Sequence, residues 1–337
     1  MWPPLLSTDP DVSVIIYSME IIEKCRAEAS KRLVGQDDVI DGILTAFIAG
    51  GHVLLEGVPG LAKTLTIKTI AEILGLEFKR IQFTPDLLPA DLTGTLIYEQ
   101  SRGGFSVRKG PLFANVILAD EVNRAPAKVQ SAMLEAMEEK QVTIGEETYP
   151  LPSPFFLLAT QNPVEQEGTY NLPEAELDRF LMKLVVRYPE SQNEVQIIKT
   201  CGRASEIPVS RIITRDDIDA LRKKAASITC DDKLVEYIVS VLNVTRAGHS
   251  AGAHMTAEHD ITRYIQFGAS PRAGIAMMQC AKVHAMFADR DFVLPEDIKA
   301  VALSVLRHRL VLSYEAAADN ITSDDIITRI LNYIPLP

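Results

Sequence analysis

The stretch HVLLEGVPGLAKT, His52–Thr64, joins an apolar run to an amphipathic one through a turn that carries Gly57 and Gly60. HVLLEG, His52–Gly57, reads as a buried strand ending in glycine, and LAKTLTIKTIAEILG reads as a helix closed by Gly75. A glycine-bearing turn between a strand and a helix start gathers backbone N–H groups and the positive end of the helix, and so suits a phosphate. Lys63 then supplies a cation for the outer phosphates and Thr64 a hydroxyl for Mg²⁺. The cradle comprises Gly57, Val58, Pro59, Gly60, Leu61, Ala62, Lys63, Thr64 and Leu65. Ala62 stands where the G-x-x-x-x-G-K-[ST] pattern has its second glycine. A left-handed backbone there costs alanine about 1–2 kcal/mol; a position in the first helical turn instead favours it over glycine by up to ~1 kcal/mol.

A strand–turn–helix of this kind belongs in a parallel sheet, and the following residues supply more strands. EFKRIQF, NVILAD (Asn115–Asp120), PFFLLATQNP and RFLMKLVVRY alternate with helical stretches such as PAKVQSAMLEAMEEK. Five strands with apolar interiors predict an α/β fold, a parallel five-stranded sheet flanked by helices. Two segments interrupt it as hairpins, one at about 94–110 around Gly103-Gly104, the other at about 140–152 around Gly145-Glu146. Residues 1–12 are proline-rich and expected to be loose, and Val14–Lys31 has helical spacing. Beyond Tyr188-Pro189 helical periods take over without a convincing strand, so the expected domains are 13–189 and an all-helical 190–337. A length of 337 residues suits two domains.

Chemistry-bearing residues fall at strand ends. Asp120 closes a buried strand, where a Mg²⁺-coordinating acid belongs, and Glu121 follows, placed to polarise a water for attack on a γ-phosphate. The plainer reading is a pair of solvated acids or a helix cap. Asn162 ends the next strand and could orient that water; Asn-Pro is also a common turn. Arg179, before an apolar strand, and Arg272, at a helix start, could each stabilise charge on the γ-phosphate, where a surface ion pair is the ordinary fate of an arginine.

The ordered set GVPGLAKT, LADEVNRAP, ATQNP, LPEAELDRF and GASPRA resembles the MoxR-type AAA+ ATPases, over about Val34–Leu312. The resemblance implies a P-loop NTPase core followed by a smaller helical lid, with ATP and Mg²⁺ as ligands. Alanine before the lysine is common in that family, so Ala62 reads as a family trait. The resemblance assigns Lys63 and Thr64 to Walker A, Asp120 and Glu121 to Walker B, and Thr64 and Asp120 to the metal. It assigns Asn162 to sensor 1, Arg179 to the arginine finger, Arg272 to sensor 2 on the lid, and Val34, Gly35 and Gln36 to the border of the adenine. The first hairpin matches the family's helix-2 insertion and the second the hairpin before sensor 1. Arg124 is implied to touch a neighbouring nucleotide. Because the finger serves the next subunit, the family also implies a homo-oligomeric ring, a hexamer, and chaperone-like remodelling of a partner protein, often one with a von Willebrand factor A domain.

Composition narrows the alternatives. A net charge of -11 disfavours bulk nucleic-acid binding, although Arg102, Arg108 and Lys109 on the first hairpin keep a nucleic-acid motor in view. A nucleotide-gated scaffold without turnover is the non-enzyme alternative, and Glu121 speaks against it. Four scattered cysteines without a C-x-x-C pair fit reduced thiols in a cytoplasmic protein, and no run of ~18–20 apolar residues spans a membrane. His249, His254, His259 and Asp260 have spacings that do not share one helix face and make a poor metal site.

Overall fold

The structure, a computed structural model, describes residues 10–58, 60–101, 103–162, 170, 172–200, 202–246 and 261–337. The chain packs as two units: Ala29–Arg211, and a second that joins the N-terminal segment through Glu28 to Ile212–Pro337. Helix α1 (Pro10–Ser30) begins within the stretch expected to be loose; residues 1–9 lie outside the described residues.

The first unit continues with α2 (Asp37–Ala49), β1 (Val53–Glu56), α3 (Lys63–Ile73), β2 (Phe78–Gln82) and α4 (Pro89–Thr93). A hairpin of β3 (Gly94–Glu99) and β4 (Gly104–Lys109) leads to β5 (Val116–Asp120) and α5 (Ala127–Glu139). A second hairpin, β6 (Gln141–Ile144) and β7 (Glu147–Pro150), precedes β8 (Phe156–Gln161), α6 (Glu174–Leu177), β9 (Met182–Val185) and α7 (Ser191–Lys199). The main sheet has the order β2-β5-β8-β1-β9, all parallel, as the apolar runs predict. Every residue of β5 is buried, while edge strand β2 buries only Ile81 and leaves Lys79, Arg80 and Gln82 exposed. Phe47 of α2 meets Phe156 of β8 edge-to-face at 5.3 Å, a geometry that adds about 0.5–1.5 kcal/mol to the area buried.

The boundary lies at Arg211–Ile212, later than the expected 189–190, and Val14–Glu28, expected in the core, is grouped with the helical unit. Tertiary bonds hold the intervening residues to the sheet unit: Arg32 Nε donates to the Ile207 carbonyl at 2.6 Å, and Asn193 of α7 packs on Gly35.

The second unit contains α8 (Arg215–Ser227), α9 (Asp232–Thr245), β10 (Ile265–Phe267), α10 (Pro271–Phe287), α11 (Pro295–Leu306), β11 (Val311–Leu312), α12 (Tyr314–Ala318) and α13 (Ser323–Tyr333). Side chains cap several helices: the Ser270 hydroxyl accepts from Arg272 N–H, and Thr214 and Thr322 each share a capping box with an aspartate three residues on. The expectation of no strand here is corrected by the antiparallel pair β10–β11, whose two or three residues are too short to show a period of two. Buried Asp297 ties α10 to α11 by accepting from both terminal nitrogens of Arg290 and pairing with His284 at 2.7 Å. Burial would raise its carboxyl, but these bonds and the Leu294 N–H outweigh it and hold the group well below the usual carboxylate range.

Candidate active site

The carboxyl ends of β1, β8 and β5, three neighbours in the sheet, carry the loop before α3, Asn162 and the Asp120–Glu121 pair. Their side chains converge on one cavity of about 430 Å³ lined by Gly60, Ala62, Lys63, Thr64, Leu65, Arg80, Asp120, Glu121 and Asn162. A crevice beyond the carboxyl ends of parallel strands is where such sheets bind ligands.

The loop is shaped by close approach. A Cβ on Gly57 would lie 2.9 Å from the Val186 carbonyl oxygen, so the chain tolerates only glycine as it leaves β1. Gly60 and Ala62 both have positive φ, 87° and 55°. Of the two possibilities for Ala62, the left-handed one holds, and α3 starts only at Lys63. The methyl group therefore costs about 1–2 kcal/mol in a loop that the surrounding structure must hold in place. Lys63 Nζ donates to the Gly57 carbonyl at 2.7 Å and folds back across the loop. Partial burial lowers its pKa, an effect opposed by Asp120, Glu121 and Glu56. Gln36 braces the same loop, donating to the Leu61 carbonyl and accepting from the Thr66 hydroxyl at 2.9 Å.

Across the cavity the two acids are held by side chains from several elements. The Thr160 hydroxyl of β8 donates to Asp120 Oδ1 at 2.6 Å and accepts from the Glu121 N–H at 2.8 Å. Arg80 donates to Asp120 Oδ2 through Nε at 3.0 Å and Nη2 at 2.7 Å. Glu121 Oε2 accepts from Gln82 at 2.7 Å and from Arg124 at 3.0 Å. Glu121 itself sits at φ 57°, a left-handed backbone that turns the chain sharply as it leaves β5. Asn162 is buried at the end of β8 and lines the cavity.

Lys63, Thr64, Asp120, Glu121 and Asn162 are thus gathered as the sequence suggests. Thr64 and Asp120 both present hard oxygen donors to the cavity, a donor set that suits Mg²⁺. Arg124 is bonded to Glu121 of its own chain. Arg179 is not among the lining residues and pairs with Glu138 at 3.3 Å. Arg272 opens α10 in the other unit. Gly57, Val58 and Leu61 form the loop without lining the cavity, and Val34, Gly35 and Gln36 precede α2. Pro59, Arg102 and the segment with His249, His254, His259 and Asp260 lie outside the described residues. Sequence reasoning missed Arg80, Gln82 and Thr160. The only local signal was the alternation in FKRIQ, which puts Arg80 and Gln82 on one face of β2.

Comparison with known proteins agrees with this geometry. Residues 52–182 match the "ATPase family associated with various cellular activities (AAA)", and residues 257–330 match the AAA lid domain. The chain is 46% identical to the chaperone MoxR1 of Mycobacterium tuberculosis over 94% of its own length and 82% of that protein's. It is 41% identical to YeaC of Bacillus subtilis, covering 94% and 95%, and 30% identical to the MoxR protein of Methylorubrum extorquens, covering 92% and 93%. The crystal structure of a candidate ATPase from Cytophaga hutchinsonii superimposes with a TM-score of 0.87 at 47% identity, covering 97% of this chain and 98% of that one.

Proposed function

The chain belongs to the MoxR family of chaperone-like AAA+ ATPases, and from that premise we propose that it hydrolyses ATP with Mg²⁺ at the cavity between the Lys63 loop and Asp120–Glu121. The observation that carries this reading is the convergence of a phosphate-loop lysine, a metal-suited hydroxyl and carboxylate, a second acid and an asparagine on one cavity. The loop N–H groups and Lys63 bind the outer phosphates, and Lys63 gives up the Gly57 carbonyl to do so. Thr64 and Asp120 hold the metal, which when bound neutralises charge on the phosphate oxygens. Glu121 draws a proton from the attacking water, whose oxygen bonds to the γ-phosphorus as the bond to the bridging oxygen breaks. Asn162 orients that water. Val34, Gly35 and Gln36 border the adenine.

Arg179 belongs to a neighbour's site in this reading, since it does not line the cavity of its own chain. The assembly is then a ring, a hexamer, with Arg272 of the lid reading the γ-phosphate. Turnover moves the lid and drives remodelling of a partner protein in the cytoplasm, one with a von Willebrand factor A domain. The exposed face of the β3–β4 hairpin favours a protein partner over nucleic acid, because it offers Leu96, Tyr98 and Phe105, the last 71% exposed.

Two measurements test the reading. Glu121→Gln should bind ATP and release phosphate at least about a hundredfold more slowly than wild type; equal rates would refute the assigned base. Arg179→Ala should lose turnover and regain it when mixed with Glu121→Gln rings, since each supplies what the other lacks. Failure of mixing, or a rate per chain independent of dilution, would rule out shared sites.

A further inference from the structure

Arg80 is a second cation in the cavity wall beside Lys63, and nothing in the reaction described above uses it. Its guanidinium places two donors on a single oxygen, Asp120 Oδ2, while Thr160 holds the other oxygen. The carboxylate assigned to the metal is therefore already neutralised by a residue of its own chain. A divalent ion and a guanidinium compete for the same lone pairs on a carboxylate. Arg80 is also placed to let go: its side chain is 48% exposed and rises from edge strand β2, so water can take over its hydrogen bonds.

A second bond extends this contact to the other acid. Arg80 Nη2 also donates to Gln82 Oε1 at 2.7 Å, and Gln82 Nε2 donates to Glu121 Oε2 at 2.7 Å. Asp120, Arg80, Gln82 and Glu121 thus form one hydrogen-bonded chain.

We infer that Arg80 is a displaceable counter-cation, a positioning residue that holds Asp120 until a divalent ion replaces it. The inference rests on the reading of the cavity as a metal–nucleotide site. Its consequence is a raised threshold: binding of the ion must displace an ion pair, so more of it is needed than at a bare carboxylate.

The test is a titration with Mn²⁺, followed by electron paramagnetic resonance, of wild type, Arg80→Met and Arg80→Lys in the presence of a non-hydrolysable ATP analogue. Binding of a fluorescent ATP analogue in EDTA is measured alongside. Arg80→Met should reach half-saturation with Mn²⁺ at about a fivefold lower concentration, the worth of a half-exposed charge pair. Arg80→Lys, with fewer donors and no fork, should shift less in the same direction. If circular dichroism shows Arg80→Met unfolded, the sign of the lysine shift decides. An unchanged or higher Mn²⁺ requirement overturns the inference while leaving the functional reading intact, provided the wild type binds ion and nucleotide. A wild type that binds neither overturns both.

Discussion

The two ends of the parallel sheet treat polar groups in opposite ways. At the amino ends, His52 and Asn115 are buried and each is bonded to backbone. His52 Nδ1 accepts from the Leu157 N–H at 3.0 Å and Nε2 donates to the Met137 carbonyl at 3.2 Å, which fixes one neutral tautomer. Asn115 donates to the Pro154 carbonyl at 2.8 Å and accepts through its own backbone from Phe156. At the carboxyl ends, the buried Thr160 hydroxyl bridges the two acids, but the cations that pair with them, Arg80 and Arg124, are half-exposed side chains, and the backbone is strained at Ala62 and Glu121. Backbone partners cannot leave without unfolding; half-exposed side chains can be exchanged for a ligand. In β1 and β5 the amino end is thus committed to stability and the carboxyl end kept available for chemistry.

That contrast can be broken by measurement. His52→Ala strands a buried N–H and a buried carbonyl and opens a cavity, so it should cost about 4 kcal/mol of stability in denaturant melts without changing nucleotide affinity. A cost under 1 kcal/mol would mean the amino end is not committed as described. A pH titration sharpens the same point. Burial, the leading cause, with Lys140 nearby, lowers the His52 pKa to about 4 despite its bond to Met137, against an ordinary value of 6.5. The unfolded chain then binds the extra proton first as pH falls below 6.5, so stability present at neutral pH is lost as pH falls towards 4, by about 3 kcal/mol. His52→Gln, which can keep a donor and an acceptor, should flatten that loss; an equally steep profile would assign it to other groups.

At the other end the signs change. Lys63→Ala should weaken ATP binding about a hundredfold, close to 2.7 kcal/mol, and leave the melting temperature of the ligand-free protein within a degree or two. A large fall in melting temperature would make Lys63 a structural residue instead. The smallest effect belongs to Ala62→Gly, which relieves the left-handed backbone and should stabilise the protein by about 1 kcal/mol after the added freedom of the unfolded chain is counted. Destabilisation would show that the methyl group has packing that outweighs its strain.

How far the site could be read from the sequence follows the same division. Lys63, Thr64, Asp120, Glu121 and Asn162 were legible because each lies within a few residues of a buried strand or a glycine turn, and local pattern says where such strands end. Thr160 was hidden inside the run LLATQ, since nothing local shows that its hydroxyl would lie between Asp120 and Glu121. Arg80 and Gln82 were hidden because their partners are forty and thirty-nine residues away. The first unit extends to Arg211 for a similar reason: the change to helical periods after Pro189 is a local signal, whereas the bond from Arg32 to Ile207 spans 175 residues.

The amino-acid order alone determined the parallel five-stranded sheet, the two hairpins and the phosphate loop. Apolar period, glycine turns and strand-end acids are properties of short stretches, and burial acts on them wherever they sit. Only tertiary structure decided the backbone of Ala62, the pairing of β10 with β11 and the ring of donors around the two acids. Alanine at position 62 is compatible with either hand of the backbone until the closing of the loop selects one. A carboxylate acquires its partners only when β2 is laid beside β5 and places Gln82 opposite Asp120, a register that no single stretch of the chain contains.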